Sequence, residues 1–116
     1  MGARITNYAI WTAQTIAASG SATSGAIDMR RMNSAALHLT SIAGTSPDVT
    51  FSYTVSKDAD GTFVAPQAPA TIGANKAAND IMDFAPETTR YIKLVATNNN
   101  GSNSVTITGK LAVQEI

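Results

Sequence analysis

Apolar and polar residues alternate most regularly between Asp48 and Lys57, where Val49, Phe51, Tyr53 and Val55 interleave with Thr50, Ser52, Thr54 and Ser56. A period of two sustained this long places the apolar set on one face of a half-buried strand. The stretch from Asn103 to Glu115 repeats the pattern, with Val105, Ile107, Leu111 and Val113 on one face and Thr106, Thr108, Lys110 and Gln114 on the other. Gly109 falls among the apolar set, and a missing side chain there predicts a bulge or a close backbone approach. From Thr89 to Thr97, Ile92, Leu94 and Ala96 alternate with Tyr91, Lys93 and Val95. Both faces are partly apolar, so this segment reads as a central strand. The run from Ser34 to Ile42 alternates more weakly around Leu37 and Leu39, with His38 on the opposite face. Ile5 to Ile16 and Ala22 to Met29 are further Thr- and Ile-rich strand candidates.

Turn chemistry separates these segments at Ser19-Gly20-Ser21, Gly44-Thr45-Ser46-Pro47, Asp58-Ala59-Asp60-Gly61 and Asn98-Asn99-Asn100-Gly101. Asp-Gly and Asn-Gly tolerate positive φ and suit hairpins, so Asn98 to Ser102 is expected to join the last two strands directly. Gly73 to Phe84 (GANKAANDIMDF) breaks the rhythm. It is Ala-rich and follows Pro66 and Pro69, and it reads as a loop leading into either a short helix, around residues 74–82, or an edge strand. Seven to eight short strands, with turns about every ten residues, predict a single all-β domain over residues 1–116. The expected architecture is an antiparallel β-sandwich of jelly-roll or immunoglobulin-like type.

Composition narrows the function. Charged residues make up 14% of the chain, eight basic against eight acidic, for a formal net charge of zero. A duplex-binding protein gathers a basic excess on one face, so nucleic acid is not an expected partner. The chain has no cysteine, which removes disulfides and Cys-based metal centres. No apolar run reaches the length of a membrane span, and no membrane association is expected. Residues 5–18 imitate a signal peptide only faintly, because Thr, Asn and Gln interrupt them, and they read as mature β structure. Met1 to Thr6 fits a myristoylation pattern but reads as an ordinary initiator segment.

Candidate chemistry is sparse. His38 is the only histidine and has no carboxylate neighbour in sequence. Asp58 and Asp60 with Gly61 have the spacing of a fragment of a calcium loop, but the third and last ligands are missing; a turn explains the same residues. Asp80 and Asp83 would share a face if their segment were helical. No nucleophile-elbow, zinc-protease, P-loop or dinucleotide-binding motif occurs, so neither an enzyme nor a cofactor is expected. Arg30-Arg31, flanked by Met29 and Met32, forms a candidate charged anchor for an acidic partner. Tyr8 and Trp11, three apart on a strand, face opposite ways, which puts one in the core and leaves the other partly exposed. Tyr8, Trp11, Met29, Arg30, Arg31 and Met32 are therefore the candidate interface residues, with the Pro47 and Pro66–Pro69 loops as further contact regions. The N-x-S match at Asn100-Gly101-Ser102 is already accounted for by the turn.

The order of these pieces resembles small bacteriophage virion proteins of the head-decoration and tail-accessory kind. The resemblance is carried by residues 19–29 (SGSATSGAIDM), residues 51–63 (FSYTVSKDADGTF) and residues 90–98 (RYIKLVATN). It implies a virion protein that packs on capsid or tail proteins and associates with copies of itself around a symmetry axis. The alternative is a carbohydrate-binding, lectin-like module in which Trp11, Tyr8 or Tyr91 stacks on sugar rings.

Overall fold

In the computed structural model the chain is all β, and the structure describes residues 5–29, 32–66, 71–74, 80–84 and 90–115. Among the described residues there are nine strands: β1 (Ile5–Ile16), β2 (Ser21–Thr23), β3 (Ile27–Asp28), β4 (Met32–Gly44), β5 (Val49–Ser56), β6 (Thr71–Ala74), β7 (Asp80–Phe84), β8 (Tyr91–Asn98) and β9 (Val105–Glu115). They form two antiparallel sheets, one in the order β1-β9-β4-β7 and the other in the order β2-β8-β5-β6, with β3 also on β8. The pairings nest, β1 with β9, β2 and β3 with β8, β4 with β7, and β5 with β6, like a long hairpin wound up on itself. Pairing of β4 with β9 and of β5 with β8 then closes each sheet. This order is that of a jelly roll and not of an immunoglobulin domain.

The strand count exceeds the expected seven to eight because one strand is interrupted. Between β2 and β3, the Ser24 N–H donates to the Leu94 carbonyl at 2.8 Å, and the Leu94 N–H donates to Ser24 Oγ at 2.8 Å. Pairing along β8 therefore carries through the gap, and β2 with β3 acts as one of eight jelly-roll strands.

The alternation read from the sequence is the burial pattern. Leu37, Leu39, Val49, Phe51, Ile92, Leu94, Ala96, Ile107 and Leu111 are fully buried between the sheets. Burying each large aliphatic side chain contributes roughly 1.5–3 kcal/mol, and this inter-sheet layer is the main source of stability. Two aromatic pairs bridge it: Trp11 with Phe51 at 6.0 Å between ring centroids, and Tyr53 with Phe84 at 5.3 Å. Gly109 does mark irregular pairing, but the register shifts lie on its neighbours, around Trp11 on β1 and between Leu39 and Ser41 on β4. A Cβ on Gly109 would stand 3.6 Å from Trp11 Cε3, so the indole lies against the glycine.

Two expectations are corrected. No helix occupies the described part of residues 74–82: Ala74 ends β6, and Asp80 to Met82 lie in β7, the edge strand of its sheet. Met82 is buried between exposed Ile81 and Asp83, a period of two that pairing with β4 enforces, whatever the alanine content nearby. Asn98 to Ser102 does not form a hairpin either, because β8 and β9 belong to different sheets and the loop arches from one to the other. By contrast, Asp58 to Gly61 does reverse the chain. The Gly61 N–H donates to the Asp58 carbonyl at 3.2 Å, and Val55 and Val64 exchange backbone hydrogen bonds at 2.8 and 3.0 Å.

Candidate interaction surfaces

Three consecutive asparagines build one end of the sandwich. Asn98 ends β8 on the inward face and is 1% exposed. Its Nδ2 donates to the carbonyls of Ile16, Ala17 and Asn103 at 3.2, 3.2 and 3.0 Å, and its Oδ1 accepts the Asn100 N–H at 3.0 Å. Asn99 reaches sideways, with Nδ2 donating to Asp48 Oδ1 at 3.1 Å and to Thr50 Oγ1 at 2.7 Å. Asn100 Nδ2 donates to the carbonyls of Thr45 and Ser46 at 3.3 and 3.2 Å. The β1–β2, β4–β5 and β8–β9 loops are thereby fastened into one surface, with side-chain amides as the donors. Ser19 and Ser46 hold φ of 60° and 49° within it. Such strain persists only where surrounding contacts over-determine the backbone, as these amides do. The Asn100 amide of the N-x-S match is engaged within the fold.

The outer face of the β1-β9-β4-β7 sheet is a second surface. Strand register sets Asn7, Ala112, Ala36 and Asp83 in one row and Ala9, Lys110, His38 and Ile81 in the next. Small residues at its centre leave an open, mainly apolar groove of about 410 Å³, lined by Ile5, Ser34, Ala36, Ala112 and Gln114 and by Asp83 at its end. Ile5 and Ile81 stand on this face at 64% and 62% exposure. His38 lies here between Lys110 and Ile81, with no carboxylate directly across either strand to orient it as a base.

The remaining sequence candidates divide. Trp11 and Met29 are core residues, each 4% exposed, so neither offers a side chain to a partner. Trp11 Nε1 is buried with no hydrogen-bond partner among the described residues. Tyr8 is half-buried, in register with Leu111, and with Ile10 lines a 200 Å³ cleft facing Ser24 to Ile27. Met32 packs against the core, its N–H donating to the Met29 carbonyl at 2.9 Å. Arg30, Arg31 and Pro69 lie outside the described residues; Pro66 is buried and Pro47 exposed. Tyr91 is half-buried, and one face of its ring is covered by the Arg90 guanidinium at 5.1 Å, itself 3.7 Å from Asp28.

The acidic candidates do not come together. Asp80 is in register with buried Leu39 and Asp83 with outward Ala36, so on β7 the two carboxylates point to opposite faces. Asp58 and Asp60 sit in an exposed turn organised by Ser56, whose Oγ donates to the Asp58 carbonyl and accepts the Asp58 N–H. Among the described residues no group of three His, Asp or Glu side chains could hold a metal ion.

No family model and no curated protein matches the sequence. Its fold is that of a jelly-roll sandwich found in other solved structures. One of them is the SPBc2 prophage-derived protein YomS, similar with a TM-score of 0.61 over 99% of this chain and 96% of that one, at 16% sequence identity. Likeness at this identity is a likeness of fold, and it extends from end to end in both proteins.

Proposed function

We propose that the chain is a structural protein of a phage particle, a capsid-decoration or tail-accessory protein that works through protein–protein interfaces and catalyses nothing. The observation that carries this reading is the end-to-end sharing of its fold with a prophage-derived protein. The surfaces support it: a loop end fastened by uncharged amides and a sheet face centred on alanines suit fixed, repeated contacts. A sugar-binding role is less well supported, because Trp11, the largest aromatic available for stacking, is built into the core.

Mass spectrometry of purified particles from the phage or prophage that encodes the chain tests the reading. It is expected in fixed proportion to the major capsid or tail proteins, and deletion of its gene should change particle stability or tail completeness. Particles that lack the chain while the gene is expressed would overturn the proposal, as would strong, selective binding on a glycan array.

A further inference from the structure

Each sheet of the sandwich has two edges, and an edge strand presents unpaired N–H and C=O groups to any passing strand. Three of the four edges here are blunted. β7 carries Asp80 and Asp83, β6 contains Gly73, and the remaining edge is divided into β2 and β3, of three and two residues. β1 is different. It runs for twelve residues, ITNYAIWTAQTI, with no charge, no proline and no glycine.

Part of β1 has its own protection. Register shifts between Ala9 and Trp11 and between Trp11 and Gln14, with Ala13 at φ 46°, twist the second half of the strand out of a pairing geometry. Ile5 to Ala9 is regular, each residue in unbroken register with β9 from Gln114 to Lys110. Among the described residues, no backbone hydrogen bond from this segment goes anywhere but to β9.

We infer that Ile5 to Ala9 pairs antiparallel with the same segment of a second copy, about a twofold axis at Asn7, joining the two β1-β9-β4-β7 sheets into one. Ile5 to Ala9 is the regular part of β1 among the described residues, and a register centred on Asn7 pairs all of it. It sets exposed Ile5 beside the small Ala9 of the other copy on the outer face, and Tyr8 beside Thr6 on the inner one. The segment carries no charge to repel its own copy, and the chain has no net charge to oppose the approach. A second copy satisfies the twofold requirement that each residue meet its symmetry mate. The inference stands on the edge itself: a chain that dimerises this way but is missing from particles would defeat the proposed role and leave the dimer intact.

Charge swapping at the axis tests it on the full chain by sedimentation velocity. The unmodified protein is expected to show a concentration-dependent dimer. Asn7→Lys and Asn7→Asp should each weaken self-association at least tenfold, because like charges then meet across the axis, and mixing the two variants should restore the dimer. Asn7 is exposed, so both variants keep the fold, and restoration on mixing would prove it. In a chain without cysteine, Asn7→Cys should oxidise to a disulfide-linked dimer, since paired Cα atoms about 4.5–5.5 Å apart lie within disulfide reach; Ile81→Cys, exposed on the opposite edge strand, should not. A monomer at every concentration, or an oligomer indifferent to charge at residue 7, overturns the inference.

Discussion

The side-chain amide of Asn98 donates to the backbone carbonyl of Ile16 at 3.2 Å, joining the end of β8 in one sheet to the end of β1 in the other. Asn98 is fully buried, and it donates as well to the carbonyls of Asn103 and of Ala17, the latter also accepting the Gly20 N–H at 2.9 Å. Its contribution is therefore set by the cost of unpaired buried groups more than by the bonds themselves.

Asn98→Ala is expected to lower the free energy of unfolding by about 2–3 kcal/mol, the cost of orphaning buried carbonyls. Asn98→Asp, which replaces the donor with an acceptor, should do no better near neutral pH. Urea titration of both variants measures this, and a loss under about 0.5 kcal/mol would mean that water substitutes for the amide.

Two glycines should respond oppositely to the same substitution. At Gly44, with φ +153°, an added Cβ would stand 2.9 Å from the Ser104 carbonyl oxygen, and Gly44→Ala is expected to cost about 1–3 kcal/mol. At Gly109 the nearest atom is 3.5 Å away, an ordinary contact. Gly109→Ala should be neutral or stabilise by up to about 1 kcal/mol through the unfolded chain. Thermal melts that rank the pair the other way would show that the arch yields where the β9 strand does not.

Adjacent positions on β7 separate strand from helix. Met82→Ala should destabilise by about 2–5 kcal/mol, as a buried truncation, while Ile81→Ser, on the solvent side, should stay within about 0.5 kcal/mol. Similar losses at both positions would contradict the period-two burial of this edge.

Trp11 is the only tryptophan, so intrinsic fluorescence reports its site alone. Emission should be blue-shifted relative to the unfolded chain, resist acrylamide quenching and remain unmoved by added sugars. Trp11→Ala should cost about 3–5 kcal/mol. Ready quenching in the native protein would place the indole at the surface.

Sequence pattern and structure agree where burial is strictly two-sided. On β8, on β9 and on β5 as far as Thr54 the alternation survives, because a sheet neighbour on each side holds the register and a slip of one would expose the whole apolar set; at the end of β5 Ser56 is buried and Val55 only half-buried. β7 was harder to read: only Met82 and Phe84 stand for its inner face, Asp80 takes an inward position, and alanines precede it. The choice between jelly roll and immunoglobulin order depends on pairings such as Ile5 with Gln114, which leave no local trace. Parity did hold a clue to the loop end, since Asn98 continues the inward set of Ile92, Leu94 and Ala96; its turn-forming neighbours outweighed that clue. Met29 is a contact candidate only as a neighbour of the Arg30-Arg31 doublet, and Trp11 only as one of two strand aromatics; their apolar bulk places both in the core.

The nested pairing also orders events in time. β8 and β9 are inner strands that hold each sheet's two halves together, β9 lying between β1 and β4 and β8 between the β2–β3 edge and β5. Each also comes later in sequence than every strand it pairs with. Until they emerge, the pairings open among the described residues are β4 with β7, β5 with β6 and the Val55–Val64 bridge, and the uncharged β1 waits without its partner. Folding is therefore expected to wait until β9 has left the ribosome, slowed by the long loops it must close. A ribosome stalled before residue 91 would hold one half of each sheet, β4 with β7 and β5 with β6, and neither of the strands that join it to the other half.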